Sequence, residues 1–530
     1  MKLRYKNYIL LLTIILLTGS SCNKFVDINK DPNNPTSAQL ALLLPSTEIS
    51  MAGNLTGIIN GTSTIMQHTI ASTTLTRYQE SGTDFSSSWD GLYSQTLNDI
   101  EAIITTGTAQ QQWGYVAIAK FEKVYIYSLM VDMWGDIPYS QAELGQQNNA
   151  PALEGGAAVY EKLLTLLDDG ITDANKITAT TLVPGSSDVF YAGTKASWIA
   201  MANSLKLKMY NQIRLVDPAR STAAIKTLIA GPLINSNSTD FTFKYGSGTN
   251  PVNRHPWHVS EYTSGKNFYQ SQSFMDLMFG LDDPRLRYFI FRQNTTSGLN
   301  NTTNSNGYYG RNPGDGTGGP ADQAVRSTFG IYPAGGLYDN APINNLPPTN
   351  LYLTNTGATG STKVVTITDG TGAGITPLIT YAMVKFIRAE AALALNTGDD
   401  ARQSLSDAVT ANLSSISVYA AANGGIVMPA ATITGYVNRL LAQYDATDAA
   451  GKLNLVMTQK YIACFGNGME QYNDYRRTGL PVLRALLSPL NVFPLRLFYS
   501  QTELSANTFF ATNGSQLQTA QQTTPVFWDK

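Results

Sequence analysis

Four aspartates in the middle of the chain are the residues best suited to hydrolytic chemistry. A glycosidase needs two carboxyl groups at a suitable separation, one to protonate the leaving group and one to act as base or nucleophile. The candidates for such a pair are Asp276, Asp282, Asp283 and Asp315. Because a sequence does not give the separation between two side chains, a secreted or surface glycoside hydrolase is one alternative to a binding protein.

Other catalytic and metal-binding signatures are scarce. The three histidines are His68, His255 and His258, whereas zinc sites usually draw on several His or Cys ligands. Pro256 is expected to break the helix that a pair of ligands at His255 and His258 would need. The chain has neither a G-x-S-x-G nucleophile elbow nor a phosphate-binding G-x-x-x-x-G-K-[ST] motif. We therefore predict no catalytic residue, no metal and no cofactor.

Three clusters combine aromatic and polar side chains in a pattern typical of sugar binding. Sugar rings have apolar faces edged by hydroxyls, so a site needs exposed aromatic rings beside Asn, Asp, Gln or Arg. The candidate ligand-binding residues are Arg77 and Tyr78; Asn253, Trp257 and Tyr262; and Tyr308, Tyr309 and Arg311. We expect that replacing Trp257 and Tyr309 by Ala lowers glycan affinity without unfolding the protein. The alternative is that each cluster holds ordinary packed aromatics.

The first residues are typical of an export signal. Lys2, Arg4 and Lys6 precede an apolar stretch over residues 9–17, and small residues follow it. Cleavage before Cys22 would allow this cysteine to carry lipid, and several acyl chains anchor a protein stably. The sequence therefore predicts a lipoprotein signal peptide over residues 1–21 and lipid attachment at Cys22. No later segment offers an uncharged apolar run long enough to span a bilayer.

The composition argues against nucleic-acid binding. The 36 Lys and Arg are balanced by 38 Asp and Glu, for a formal net charge of −2, so no cationic field attracts phosphates. Charged residues make up 14% of the chain, compared with about 25% in an average domain. The surface is therefore expected to be neutral and rich in hydrogen-bonding groups. If Cys22 carries lipid, Cys464 has no partner for a disulfide, and stability must come from packing.

The spacing of apolar residues divides the predicted single domain, residues 22–530, into four parts. Helical periodicity covers residues 37–230 and 378–480, with a stop and a new start at Asp217–Pro218. Residues 231–377 are rich in Gly, Asn and Pro, with short alternating pieces at 241–245 and 363–368, and predict loops with short strands. Long irregular segments in compact proteins are usually functional, so this insertion is expected to face the ligand. Residues 481–530 are predicted to be irregular.

One helical hairpin indicates the architecture. Residues 381–395 predict a helix, residues 396–400 a turn, and Ala401, Leu405 and Ala408 have the spacing of a tetratricopeptide second helix. Such hairpins cannot bury their apolar faces alone and must stack. The predicted fold class is therefore mainly α, a degenerate tetratricopeptide-like scaffold with an inserted irregular region of loops and short strands.

Several segments together resemble the SusD/RagB family of nutrient-binding outer-membrane lipoproteins, in its SusD-like branch. They are residues 22–35, 132–140 (DMWGDIPYS), 198–208, 283–285 (DPR), 381–392, 459–460, 472–479 (YNDYRRTG) and 494–496 (PLR) with Tyr499. The set extends over most of the chain, and it is far more specific than any one of its members.

This resemblance implies a function. Members of the family capture oligosaccharides or other nutrients at the cell surface, without altering them, and deliver them to a SusC-like TonB-dependent transporter. We accordingly expect a non-catalytic lipoprotein, anchored in the outer membrane and exposed at the cell surface. A structural surface adhesin is the second alternative. The two arginines of YNDYRRTG, Arg476 and Arg477, are expected to hold carboxylates or helix-terminal carbonyls through their planar guanidinium groups.

Overall fold

The computed structural model describes residues 39–178, 181, 183–263, 266–295, 307–317, 322–343, 350–353, 363–510, 518 and 521–529. The predicted signal peptide and the lipid-attachment residue Cys22 lie outside the described residues. Within the described part of the chain, no helix has both the length and the apolar character needed to cross a membrane.

The amino-terminal part is helical, as its periodicity predicts. Its helices are α1 (Leu40–Ile65), α2 (Ser86–Gly91), α3 (Asn98–Ala109), α4 (Trp113–Trp134), α5 (Gly156–Asn175), α6 (Lys195–Gln212) and α7 (Pro218–Leu228). A π-helical turn, Leu92–Leu97, joins α2 to α3. Helix α7 begins at Pro218, whose missing N–H costs nothing at a first helical position. The Asp217 carboxylate caps the helix by accepting the Arg220 backbone N–H at 3.2 Å.

The middle of the chain contains short strands joined by loops. The strands are β1 (Thr69–Ile70), β2 (Phe241–Lys244), β3 (Tyr269–Gln270), β4 (Ile290–Phe291), β5 (Thr328–Phe329) and β6 (Ile375–Ile379). They form three antiparallel pairs, β1 with β3, β2 with β6, and β4 with β5. The predicted strand at 241–245 is therefore confirmed. The one at 363–368 is wrong, because Asp369 closes a turn there by accepting the Thr366 N–H at 2.8 Å.

Three short helices also lie in this region, which the sequence predicts as loops and strands. They are α8 (Pro256–Glu261), α9 (Gln272–Gly280) and α10 (Leu286–Phe289). None exceeds nine residues, and so short a helix shows too few turns for its period to be recognised. Pro256 occupies the first position of α8, so it begins a helix here instead of breaking one.

Helices resume at Tyr381 and form the second half of the scaffold. They are α11 (Tyr381–Leu395), α12 (Ala401–Ala422), α13 (Ala430–Asp445), α14 (Ala449–Ala463), α15 (Gly468–Thr478) and α16 (Gln501–Ala506). The predicted hairpin is confirmed: Asn396 ends α11 in the left-handed conformation, and Asp400 caps α12 by accepting the Gln403 N–H at 3.0 Å. The prediction of a mainly α, tetratricopeptide-like scaffold is confirmed as well. Helix α16 lies in the segment predicted to be irregular.

A buried ion network joins the helices of the two halves. Glu390 on α11 accepts hydrogen bonds from Arg477 Nε on α15 at 3.0 Å and Nη2 at 2.9 Å, and Arg214, which follows α6, lies 3.0 Å away. Arg477 also pairs with Asp474 at 2.6 Å, and Asp474 with Lys460 of α14 at 2.8 Å. Burial alone would raise the pKa of Glu390, but the charges of Arg477 and Arg214 outweigh burial and lower it.

The other arginine of the YNDYRRTG segment, Arg476, connects α15 to α4. Arg476 donates to the backbone carbonyls of Asp132 at 2.5 Å and Leu495 at 2.7 Å. The Asp132 carboxylate, in turn, accepts from Asn473 at 2.9 Å and from the Trp528 indole at 2.9 Å. The expectation that these two arginines hold carboxylates and carbonyls is thus confirmed.

Replacing Glu390 by Ala should lower the free energy of unfolding by about 3–5 kcal/mol, because two buried arginines lose their shared partner. Urea unfolding at neutral pH measures this loss. The ionised Glu390 stabilises the fold above its unfolded pKa of about 4.5, and this contribution is lost as the pH falls toward the lower folded value. The difference between the native chain and Glu390→Ala should therefore shrink below about pH 4.5.

The matched control is Asp445→Asn, which removes an ion pair with Arg402 on an exposed part of the surface. Such pairs contribute little, so the unfolding midpoint should barely move. Equal losses of stability in Glu390→Ala and Asp445→Asn would show that the buried network does not hold the helices together.

Candidate functional site

Segments distant in sequence meet where β1 and β3 pair. Arg311, in the loop 307–317, lies along β3: its N–H donates to the Gln270 carbonyl at 3.0 Å, and its carbonyl accepts from the Gln272 N–H at 2.8 Å. Gly310 permits this approach, because a Cβ at this position would lie 2.2 Å from the Gln270 carbonyl oxygen. The backbone therefore holds the loop against β3.

A groove of about 210 Å³ opens beside this junction, and we call it the arginine groove. It is lined by Ile70, Ala71, Ser72, Thr73, Lys266, Asn267, Tyr269, Arg311, Gln323 and Arg326. Three of these residues are cations and none is a carboxylate. Asn267 and Gln323 are exposed amides at its edge. The groove therefore presents positive charge together with groups that donate and accept hydrogen bonds.

Tyr269 organises two of the three cations. The guanidinium carbons of Arg311 and Arg326 lie 4.3 and 4.2 Å from the centre of its ring, within the range of a cation–π interaction. Its hydroxyl donates to Asp322 at 2.6 Å, which fixes the ring. The ring is 5% exposed, so it positions the two arginines and offers no aromatic face to a sugar.

The carboxylates near Arg326 neutralise its charge incompletely. Arg326 lies 3.8 Å from Glu261 and 3.9 Å from Asp322, too far for a strong hydrogen bond, and its Nε has no hydrogen-bond partner among the described residues. Burial, followed by the charge of Arg326, lowers the pKa of Lys266 to about 8. A ligand that brings negative charge or hydrogen-bond acceptors would satisfy this groove.

Three of the sequence-predicted residues come together here. Arg311 lines the groove, and half-buried Tyr309 precedes it, with a pKa raised by burial and then by the charge of Asp322. Arg77 packs against the same loop, since a Cβ on Gly316 would lie 2.7 Å from its Nη1. Arg77 is half-buried and outside the groove itself, and it donates from Nε to the Ser488 carbonyl at 2.7 Å.

Tyr78 and Tyr308 differ from the exposed rings that the sequence predicts. Tyr78 is 9% exposed, and its ring packs edge-on against Phe493 at 5.3 Å. Tyr308 is fully buried beneath Arg292, whose guanidinium carbon lies 4.7 Å from the ring centre. For these two residues the expectation of an exposed ring is wrong, because both rings fill the interior of the irregular region.

The expected cluster of Asn253, Trp257 and Tyr262 does not form a common surface. The Trp257 ring stacks on Phe329 at 4.2 Å and is 2% exposed. Tyr262 is fully buried and donates to the Phe329 carbonyl at 2.8 Å. Asn253 is exposed but closes a turn by accepting the Gly248 N–H at 2.7 Å. The expectation of exposed rings is wrong for Trp257 and Tyr262, since both belong to the core.

The four aspartates considered for hydrolysis have structural partners. Asp276 accepts from Arg484 at 2.8 Å, and Asp282 accepts three backbone N–H groups, over residues 351–353, besides pairing with Arg439. Asp283 is fully buried and paired with Arg285. Asp315 accepts the backbone N–H and the hydroxyl of Thr317. Each carboxylate thus stabilises a local turn or an ion pair.

The histidines have partners of the same kind. His255 caps α8 by accepting the Trp257 N–H at Nδ1, and His258 Nε2 lies 2.9 Å from the Asp369 carbonyl. Within the residues that the structure describes, no group of three His, Cys, Asp or Glu side chains is placed to hold a metal ion.

Sequence reasoning missed Lys266, Tyr269, Arg326 and the acid Asp322. No motif joins them, because they come from separate loops and meet through the pairing of β1 with β3. Composition gives no signal either, because the predicted irregular insertion, residues 231–377, contains nine of the 36 Lys and Arg, about the share expected from its length. The groove is distinguished by the cations that line it and not by exposed aromatic rings.

The architecture is that of a helical hairpin scaffold with an irregular insertion. Comparisons with known proteins identify the family that has this architecture. The profile of a SusD-like family described as "Starch-binding associating with outer membrane" matches residues 32–500. The chain therefore belongs to the SusD/RagB family, in its SusD-like branch, as the resemblance predicts. A comparison with curated proteins finds no match.

Solved structures share the fold at low sequence identity. A SusD/RagB family protein from Bacteroides thetaiotaomicron superimposes with a TM-score of 0.72 at 21% identity, covering 93% of this chain and 99% of that one. A chitin-binding protein gives 0.71 at 21% identity, over 93% and 100% of the two chains. A chitin-binding SusD homolog from Flavobacterium johnsoniae gives 0.68 at 21% identity, over 92% and 98%.

The burial of Trp257 changes the expected result of replacing it. Trp257→Ala should destabilise the protein by about 3–5 kcal/mol, because it opens a cavity beside Phe329 and leaves Asn60 without its indole donor. Tyr309→Ala, at a half-buried position, should cost far less. Urea unfolding of both variants checks this. A Trp257→Ala variant as stable as the native chain would contradict the burial of this ring.

Proposed function

We propose that this chain captures oligosaccharides at the cell surface, without altering them, and passes them to a SusC-like TonB-dependent transporter. The family description, starch binding and association with the outer membrane, supports this role, as do two structural neighbours named as chitin-binding. The observation that carries the proposal is the arginine groove, which combines hydrogen-bonding groups with guanidinium charge and lacks a lining carboxylate.

The charge of the groove favours an oligosaccharide that carries carboxylates, such as one built from uronic acids. A guanidinium group binds a carboxylate through two parallel N–H bonds, which a neutral sugar cannot replace. The hydroxyls of Ser72 and Thr73 and the amides of Asn267 and Gln323 can bind the sugar hydroxyls along the chain of the ligand. Recognition would thus rest on polar contacts and not on stacking.

A binding role fits the chemistry of the groove better than hydrolysis does. Glycoside hydrolysis requires two carboxyl groups beside the scissile bond. The groove is lined by none, and the four candidate aspartates are held by turns and ion pairs, including Asp315, which lies 4.0 Å from the groove-lining Arg311 and accepts from Thr317. The proposed role is therefore capture of an intact ligand.

Cys22 is proposed as the point of attachment to the outer membrane. A lipid anchor would keep the body of the protein beside a membrane-embedded partner. The transporter is proposed from family membership, and the ligand would pass from the groove to this partner.

The first experiment measures ligand binding by calorimetry with soluble chain lacking residues 1–22. We expect oligogalacturonides to bind more tightly than maltooligosaccharides or chitin oligosaccharides. Arg311→Gln should weaken binding of the acidic ligand by at least about tenfold, because a charged hydrogen bond contributes about 1.5–3 kcal/mol. The same change at exposed Arg402, Arg402→Gln, is the matched control and should leave affinity unchanged.

The outcomes separate two failures. Tighter binding of a neutral glycan would overturn the preference for acidic sugars while leaving oligosaccharide capture in place. Absence of binding to every glycan of the panel, or new reducing ends appearing during incubation, would overturn the proposed function itself.

The second experiment follows the full-length chain in cells of its own species. Cys22→Ala should release the protein from the outer-membrane fraction, because the residue that carries the acyl chains is gone. A chain with native Cys22 should co-purify with a large β-barrel transporter after mild detergent extraction. Fractionation of Cys464→Ala, which alters the other cysteine, provides the control. Membrane retention of Cys22→Ala, or purification without any barrel partner, would contradict anchoring or partnership, respectively.

A further inference from the structure

Lys266, one of the three cations that line the arginine groove, is buried among neutral acceptors. It is 7% exposed, and its ammonium donates to the Gln323 carbonyl at 3.0 Å and to the side-chain oxygen of Gln293. Its nitrogen forms no ion pair with any described residue. A buried ammonium loses its hydration, and neutral acceptors replace only part of it, so burial disfavours the charged form unless an anion lies close by.

The other buried lysines provide the contrast. Within the described part of the chain, Lys208 and Lys460 are also buried, and each has a carboxylate partner, Glu470 for Lys208 and Asp474, at 2.8 Å, for Lys460. Burial alone would lower the pKa of Lys460, but the nearby carboxylates outweigh burial and raise it. For Lys266, burial and then a neighbouring guanidinium lower the pKa to about 8. The amine of Lys266 can therefore lose its proton only slightly above neutral pH.

The charged groups packed around Lys266 have other partners. The Oε1 atom of Glu261 accepts the backbone N–H groups of Asn267 and Phe268 at 2.7 and 2.8 Å, and its Oε2 lies 3.8 Å from Arg326. No Asp or Glu occurs in residues 264–265, 296–306 or 318–321, which lie outside the described residues. The remaining neighbours are partnered as follows: Asp322 with Tyr269 and Arg326, Arg311 with Asp315, Arg292 with Asp339, and Lys363 with Asp369.

Gln293 holds the amine in place whether or not it is charged. Its Nε2 donates to the carbonyls of Gln323 at 2.8 Å and Arg326 at 2.7 Å, which fixes the amide with Oε1 toward Lys266. Oε1 also accepts the Val365 N–H at 3.0 Å. A neutral amine has two N–H groups, enough for its two acceptors, whereas an ammonium has three. The third N–H of the charged form is available to a ligand in the groove that Lys266 lines.

We propose that Lys266 selects the ligand of the arginine groove: a ligand carboxylate supplies the counter-ion that the protein does not, and its binding draws a proton onto an amine that is partly neutral in the free protein. Capture is then coupled to proton uptake. The inference rests on the proposed binding of acidic oligosaccharides in this groove, and it identifies the residue and the condition that control this binding.

The direction of the pH dependence follows from the pKa of Lys266 in the free protein. Below about pH 8 the amine is charged and can pair with a carboxylate at once. Above this pH, binding must first protonate the amine, so affinity falls by up to about tenfold per pH unit until the pH reaches the higher pKa of the complex. A sugar carboxylate, with an ordinary pKa of about 4, stays ionised throughout this range and takes up no proton itself.

Calorimetry with trigalacturonate and the full-length mature chain, kept in solution by mild detergent, tests the proposal. Binding should be about tenfold weaker at pH 9 than at pH 7. At pH 8, a comparison of buffers with different ionisation enthalpies should show uptake of about half a proton per bound ligand. The methyl-esterified trimer has the same sugars without the charge, so it should bind more weakly and without proton uptake.

Lys266→Met removes the amine but leaves each of its acceptors another donor, the Val365 N–H for Gln293 and the Gln293 amide for Gln323. The variant should therefore fold, which thermal unfolding checks. At pH 7 it should bind trigalacturonate at least about tenfold more weakly, without proton uptake and without the decline toward pH 9. The matched control is Lys226→Met, at an exposed position on α7, which should bind like the native chain.

The outcomes distinguish this inference from the proposed function. Trigalacturonate binding with equal affinity at pH 7 and pH 9, or proton uptake retained in Lys266→Met, would overturn the role of Lys266 and leave the capture of acidic sugars in place. Absence of binding, or tighter binding of the methyl ester, would overturn both. If Lys266→Met unfolds, the pH series and the proton uptake of the native chain decide the question.

Discussion

The buried pairing of Arg477 with Glu390 is the constraint on which the rest of the structure depends. Charges taken out of water must find partners, so α11, α14, α15 and the turn after α6 can dock in few arrangements that satisfy Glu390, Asp474, Lys460 and Arg214 together. The effect extends to the arginine groove. Helix α15 approaches α1 so closely that a Cβ on Gly468 would lie 2.3 Å from the Ser63 nitrogen. Since β1 follows α1, the helical frame also sets the position of the arginine groove.

Charge is concentrated where ligands are proposed to bind, in a chain whose overall balance is nearly neutral. The arginine groove is lined by three cations without a lining acid. Elsewhere, ion pairs such as Lys120 with Asp173 neutralise each other at 2.6 Å. A nearly neutral overall charge limits nonspecific attraction, so the groove can draw an anionic ligand by its local field.

The sequence predicts the helical scaffold well because the starts, caps and periodicity of its helices depend on residues that are neighbours in the sequence. Proline at the start of α7, Asp400 as a cap and the periodicity of the hairpin at residues 381–408 each reflect local backbone chemistry. The residues of the candidate site are predicted less well, because the exposed side chains of an irregular region do not recur at a regular spacing. Trp257 and Tyr309 look alike as loop aromatics, yet one stacks inside on Phe329 while the other lies beside the groove. Tyr269 and Arg326 meet through strand pairing, which no spacing reveals.

The aromatics that fill the irregular region determine what kind of binding it can support. Trp257 stacks on Phe329, and Phe289 stacks on Phe465, which follows α14, so the insertion has its own core fused to the helical frame. Rings used in this way cannot also present faces to a sugar. They make the insertion stiff, and a stiff insertion holds Arg311 and Lys266 in place before a ligand arrives. Because ordering side chains on binding costs about 0.5–1.5 kcal/mol each, such preorganisation lets a few polar contacts suffice for recognition.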